Sequence, residues 1–583
     1  MKKNQVTSDM DLIKENGYTR KYYSEKKPAV LWIVLLAILI APVALWASKE
    51  TPDIDEVSKT IYHAMGIVQD MGNPVDGLMQ VEDAWAIEDT RQEANEPLVS
   101  RMYMNGAILG YDRESRTFYC TLGMNDDDEW PEASFTAKGS EGLKLAWIDD
   151  YMYDYRNDAI EEGYRYELLA WTESQYEYVG LVFTGLPIVT LHADKDAPIL
   201  ASEDVGADIH IASGEYEPLY SRALVHKRGG GAYSREKESW RIEFRTLDAK
   251  GRDKKIARSV LGMDADSDFL LIANSCDPTA IRNHICWQLW KDWREGRQFA
   301  ELESRLVEVF RGDEYMGIYQ LMEYVDPVSE LKAMGGNLDT DLLVKMITVV
   351  NDSDRPLNDR VQWDTHKIEL RYAPPYMTAK EAFSIYEPFD DVEIERTREM
   401  SDEEFISIIE THFDVQDLLD YFLFVQVYNL RDNARNNVFV WAMKQEDGTY
   451  QYRLSPWDMD YSLCKSEEEG PLNEIEIISW ELPMINRMLE LDIRESQKLL
   501  YDMFMEKRAG QLSDDAIYQW VDHAETMINK SGAYLRESEK WLGEAKRLNL
   551  AWMSAELISM QKTVEMYIRE VWCPSIKETH PIE

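Results

Sequence analysis

Two short stretches of this chain hold residue types that could do chemistry. Residues 430 to 437 read LRDNARNN and place Asp432 and Asn437 five positions apart. Residues 455 to 460 read SPWDMD and add two carboxylates, Asp458 and Asp460. A carboxylate to receive a hydroxyl proton, an amide oxygen and acidic groups for Mg²⁺ are the parts that phosphoryl transfer needs. Mg²⁺ commonly uses one or two carboxylates together with phosphate oxygens. Either motif alone is most simply a pair of turn caps. Linked by a short hairpin, the two read as one site.

The elements around them must hold that site. Asp417 to Tyr428 carries apolar residues around most of its circumference, as a buried helix does. Val438–Met443 and Tyr450–Leu454 flank Glu446-Asp447-Gly448-Thr449, which reads as a β-hairpin. The hairpin returns the chain to Pro456-Trp457-Asp458, near where it left Asn437. Ser401 to Glu404 has the form of a capping box. Upstream, strands are expected around 186–194, 208–211, 222–226, 239–244, 306–310, 317–322 and 342–346, with a helix over 278–293. A polar, Pro-containing connector follows at 352–377. Residues 483 to 569 are mostly helical and amphipathic, and 76 to 180 are rich in short apolar runs, a β-rich accessory region.

Other residues are weaker candidates. Arg228 to Lys237 reads RGGGAYSREK, a Gly-rich turn leading to a lysine. Glycines let backbone N–H groups approach phosphate, yet this is neither a Walker A nor a G-x-G-x-x-G loop, and a plain hairpin tip explains it as well. Lys237 and Arg241 could meet phosphates or be surface charge among Glu236, Glu238 and Glu243. Asp277 is expected as an N-cap with Pro278 in the first turn. Arg282 and Asn283 follow and could face a cleft. Glu323 ends a strand. It could pair with Lys237, orient a metal ligand or be a surface carboxylate. Trp287, Trp290 and Trp293 are expected in the core. Five scattered cysteines without a CxxC pair argue against both a zinc site and a disulfide framework.

The chain has 583 residues and a net charge of -45. Nucleic acid is excluded as a partner by that acidity. Ala29 to Ala47 is uncharged over about 19 residues. Lysines and arginines precede it, so the sequence predicts a single-pass membrane protein with a cytoplasmic N-terminus and an extracytoplasmic bulk. A cleaved signal peptide is the rival reading. The expected layout is an N-terminal tail (1–28), a transmembrane helix (29–47), a stalk and β-rich accessory domain (48–180), a catalytic domain (186–480) and a helical C-terminal region (481–583).

Five blocks, in order, carry a resemblance: RGGGAYSREKESWRIEF, DFLLIANSCDPTAIRNHICWQLW, VEVFRGDEYMGIYQLMEYVD, YNLRDNARNNVFVW and YRLSPWDMDYSL. Together they resemble the CotH family, the spore-coat-type atypical protein kinases, over roughly residues 186 to 480. The resemblance implies an α+β, divergent protein-kinase-like domain that binds ATP with Mg²⁺ or Mn²⁺ and phosphorylates Ser or Thr of a cell-surface or spore-coat protein. By the same resemblance Asp432 is the catalytic aspartate. Asn437, Asp458 and Asp460 are metal ligands, and Arg228, Lys237, Arg282 and Glu323 are on the nucleotide side. Asp277 and Asn283 look like further signature positions. There are departures. Gly230, Gly231 and Ala232 stand where the family turn carries Asn-Ser-Thr, and Ser462-Leu463 replaces the Gly that follows the PWD block. The alternatives to a kinase are an extracytoplasmic binding or assembly module that keeps the fold without the reaction, and a phosphotransferase acting on a surface glycan.

Overall fold

The computed structural model describes residues 72–125, 128–194, 199, 203–229, 236–248, 250–297, 299, 302–346, 368–393, 400–434, 436–465, 477–478 and 482–579. The chain divides into two compact units. One takes the residues up to Leu109 with Glu132–Ile148 and Leu168–Tyr178; the other takes Gly110–Pro131, Asp149–Glu167 and Val179–Glu583.

The smaller unit is β-rich. Val99–Met104 pairs antiparallel with Phe135–Gly139, and Lys144–Trp147 with the end of Arg165–Trp171. The buried carboxylate of Glu177 accepts the backbone N–H groups of Leu98 and Val99, each at 2.8 Å.

The larger unit begins with a barrel. Its strands are β1 (Ile188–Ala193), β2 (Val205–Ala212), β3 (Leu219–Arg228), β4 (Ser239–Leu247), β5 (Asp253–Lys255), β6 (Asp268–Ile272), β7 (Ser304–Arg311) and β8 (Glu314–Glu323). Seven of them close a ring in the order β3-β2-β1-β7-β8-β6-β4 and back to β3, with β5 outside β4. Every pairing is antiparallel except β1 with β7. Alternating apolar residues fill the interior, among them Val189, Ile209, Val225, Trp240, Phe269, Val307 and Leu321. Between β6 and β7 lies helix α1 (Arg282–Trp293).

After α2 (Pro327–Ala333), strands β9 (Leu342–Met346) and β10 (Ile368–Tyr372) join β11 (Val438–Lys444) and β12 (Tyr450–Pro456) in a second sheet, order β10-β9-β11-β12, all antiparallel. Helices α3 (Ala379–Glu393), α4 (Asp402–His412) and α5 (Val415–Val427) precede β11. Ser401 caps α4 by accepting the N–H of Glu404 at 3.2 Å, as the capping box requires. Helix α5 is buried from Leu418 to Val427. The C-terminal part is helical: α6 (Pro483–Glu490), α7 (Ser496–Ala509), α8 (Asp514–Lys530), α9 (Ala533–Leu542), α10 (Ala551–Tyr567) and α11 (Pro574–Thr579). One apolar core joins α1, α5, the second sheet and these last helices. Trp290 of α1 meets Phe424 of α5 at 4.7 Å between ring centroids, and Gln561 of α10 donates to the Val427 carbonyl at 2.9 Å.

The architecture is α+β, with a β-rich N-terminal region and a helical C-terminus. It corrects the sequence reading on the membrane. The segment 29–47 lies outside the described residues, and among the described residues no helix is long and apolar enough to cross a membrane. Among the described residues each of the two longest helices, α8 and α10, has 17 residues, about 25 Å of rise against about 30 Å of hydrocarbon, and α8 carries Asp514, Asp515, Asp522 and Glu525. The transmembrane element and the single-pass localisation are therefore dropped from the account.

Candidate active site

The site is built from two loops and one helix start. The first loop leaves α5 and reaches β11. Asp432–Ala434 forms a single 3₁₀ turn, and the Tyr421 hydroxyl donates to the Asn433 carbonyl at 2.6 Å. The Asn433 amide then donates twice, to the Asn437 carbonyl at 3.0 Å and to the Trp457 carbonyl at 2.7 Å. The Trp457 N–H closes the triangle on the Asn437 carbonyl at 2.8 Å. The two sequence motifs are thus stitched together through backbone. Asn437 and Asp458 both hold positive φ, 53° and 56°. Asn and Asp tolerate that region better than other side chains, and such strain gathers where surrounding structure fixes a functional loop.

Helix α1 holds the second loop. The Asn283 side-chain oxygen accepts the Met459 N–H at 2.9 Å, between the two candidate metal carboxylates. The Cys286 thiol lies 3.1 Å from the Ser462 hydroxyl, which donates to the Met459 carbonyl at 2.6 Å. The helix starts at Arg282, not at Pro278. Ala280 has φ 62°, which a right-handed helix excludes. Asp277 therefore stands outside the N-cap position. Its buried carboxylate accepts the N–H groups of Thr279 (3.0 Å) and Arg282 (2.8 Å) and pairs with the Arg282 guanidinium. Cys286 is buried, whereas Cys276 is exposed.

Electrostatics make one acidic centre of these groups. Burial, then the neighbouring Asp458 carboxylate, pushes Asp460 up to about 7; Lys465 opposes, while Asp277 and Asp432 add to the rise. Burial also raises Asp432, against the hydrogen bond from Asn436, with Asp458 contributing to the rise. One oxygen of Asp432 accepts from the amides of Asn436 (3.1 Å) and Asn437 (3.3 Å). The Asn437 side chain thus meets Asp432 through its N–H, so that bond does not occupy its side-chain oxygen. Among the described residues no three His, Cys, Asp or Glu side chains group closely enough to hold a metal by themselves. The donor set instead fits the sparse mode of Mg²⁺, with one or two carboxylates and an amide, the remaining positions falling to phosphate and water.

The cations divide. The Arg228 guanidinium lies 5.7 Å from the centre of the Trp457 ring, beside the acidic loop. Lys237 stands apart, buried before β4. Its ammonium donates to Glu537 of α9 at 2.5 Å and to the Ile318 carbonyl at 2.8 Å. Glu537 in turn accepts the Ile318 N–H at 2.7 Å. Burial pushes Lys237 down and Glu537 up. Gly317 permits this approach: a Cβ there would sit 2.0 Å from a Glu537 oxygen. Lys237, Glu537, Asp277, Asn274 and Trp541 line a cavity of about 300 Å³, and Asp277 links it electrostatically to both Lys237 and Asp460. Glu323 is not Lys237's partner. It lies five residues beyond Ile318 on β8, accepts the Glu303 N–H at 2.8 Å, and is raised by burial and by Glu303, Asp264 and Asp266. Residues 230–235 of the Gly-rich turn lie outside the described residues.

Sequence reasoning missed Asn433, Lys465 and Glu537. Asn433 lay in view inside the LRDNARNN motif. Glu537 had no signal, standing 300 positions from Lys237.

A family model described as CotH kinase protein matches residues 225–566, more than half of the chain. A comparison with curated proteins finds no match.

Proposed function

As this chain belongs to the CotH kinase protein family, we propose that it transfers the γ-phosphoryl group of ATP to a serine or threonine hydroxyl of a coat or surface protein. The observation that carries this reading is the convergence of the two loops, joined by the Asn433 amide and the Trp457 N–H, which sets Asp432, Asp458 and Asp460 within electrostatic reach of one another in a half-buried centre, with the Asn437 amide on Asp432. Asp432 receives the proton of the acceptor hydroxyl; burial and Asp458 raise its basicity toward that task. Asn437, Asp458 and Asp460 are the oxygen donors that would hold Mg²⁺ or Mn²⁺. The ion, when bound, neutralises charge on phosphate oxygens. Asn433 and Asn283 keep the donor loops in place. The cavity at Lys237 and Asp277 receives the nucleotide, with Lys237 oriented by Glu537.

The test is phosphate transfer. The full chain is incubated with γ-labelled ATP and Mg²⁺ or Mn²⁺, and label is sought on the chain itself and on casein. Label that disappears in Asp432→Ala supports the kinase. A chain that binds no nucleotide at millimolar concentration refutes it and leaves a binding or assembly module.

A further inference from the structure

Lys345 is a cation that no motif singles out, and its place in the second sheet gives it a role. On β9, Lys345 pairs with Phe439 and Met346 with Val438. β12 meets the same end of β11, where Pro456 pairs with Val438. From that end the chain runs into Asn437 on one strand and into Trp457 and Asp458 on the other. Lys345 therefore stands at the rim from which both acidic loops depart. Cross-strand partners share a face of a sheet. The Phe439 ring lies 5.6 Å from the Trp457 ring, and the Lys345 ammonium lies 6.0 Å from the centre of that same indole. With Arg228 at 5.7 Å, two cations share one aromatic ring.

Among the described residues the lysine of this pair has no hydrogen-bond or ion-pair partner. Its cross-strand acid, Glu369, is engaged by Arg371 at 3.0 Å. Asp458 attracts Lys345 and Arg228 repels it, yet burial dominates and pushes the ammonium down to about 8. A ring face compensates a desolvated ammonium only in part. Lys345 is half-buried, and a partly desolvated cation without an acceptor carries a free-energy cost that an arriving anion offsets. Lys237 differs in that Glu537 and the Ile318 carbonyl already accept from it, although it still lines the cavity.

We propose that Lys345 is a phosphate-binding residue, the cation that meets the terminal phosphate of the nucleotide beside Asp458. This rests on the kinase reading above. It assigns to Lys345 the neutralisation of the transferred group and leaves Lys237 to the inner part of the nucleotide.

Calorimetric titration of the full chain with MgATP and with MgADP tests it, using Lys345→Met and Lys345→Arg and recording the melting temperature of each. Lys345→Met is expected to weaken ATP about ten- to hundredfold while ADP changes by less than about twofold. Lys345→Arg is expected to restore most of the ATP affinity. The melting temperature should not fall, because an unpartnered ammonium is removed. Equal weakening of ATP and ADP, or unchanged ATP affinity, would overturn the assignment and leave the kinase reading standing. A parent chain that binds no ATP would overturn both, and the parent titration tells the two failures apart.

Discussion

Asn433 donates one hydrogen bond to each loop that carries a carboxylate, and its own carbonyl is pinned by Tyr421. Asn433→Ala is expected to cost about 2–4 kcal/mol, two lost bonds plus the Trp457 carbonyl left short of a donor, while the Asn437 carbonyl keeps the Trp457 N–H. Urea unfolding measures the loss, and transfer activity should fall with it. Glu330 of α2 is a second residue whose behaviour follows from its surroundings. Burial, then Glu323, Asp326 and Asp266, pushes its carboxyl up to about 8. A raised carboxyl favours the folded state fully at low pH, and that contribution is lost as pH climbs from the ordinary carboxylate range through 8. Glu330→Gln should therefore flatten the stability profile between pH 5 and 8, with a gain at pH 8 on the order of a few kcal/mol by thermal unfolding. A steeper profile would contradict it. At this scale the sequence was informative where spacing mattered. Asp432 and Asn437 stand out because their separation matches a chemical need. Lys345 does not, because in LLVKM it is one polar residue of an ordinary strand. Only the sheet register brings it to the acidic loops.

Helix α9 is the element that ties the C-terminal helices to the cavity at Lys237. It presents Glu537 to Lys237 and Arg536 to Glu308, both nearly excluded from solvent. Removing one partner of such a pair strands a buried charge. Glu537→Ala is expected to cost about 3–5 kcal/mol, while Lys237→Met with Glu537→Leu recovers most of it. Chemical denaturation of the single and double variants checks this; a double variant as unstable as the single one would contradict it. The elements themselves were legible where periodicity is local. The hairpin β11–β12, the capped α4 and the buried α5 follow from turn residues, a capping box and an all-round apolar surface. The start of α1 was misread because Asp-Pro suggests a cap, whereas the positive φ of Ala280 delays the helix to Arg282. Closure of the barrel was not visible, since β1 pairs with β7 across more than a hundred residues.

Across the larger unit, the site draws its parts from α1, the second sheet and the loop after α5, all set on a core that the C-terminal helices complete. A net charge of -45 surrounds it. Such acidity favours divalent cations and repels free nucleotide, so metal and nucleotide are expected to bind as a complex. Among the described residues no helix is long and apolar enough to cross a membrane, and the proposed catalytic reading draws its support from the geometry of the loops and the family match. That reading depends on Asp458 and Asp460 sharing a cation with nucleotide phosphates. Electron paramagnetic resonance of Mn²⁺ titrated into the full chain with a non-hydrolysable ATP analogue measures this directly. The account predicts nucleotide-dependent Mn²⁺ binding that weakens at least about tenfold in Asp458→Asn or Asp460→Asn and is unchanged in the hairpin-tip variant Asp447→Asn. Equal Mn²⁺ affinity in all three variants would contradict it.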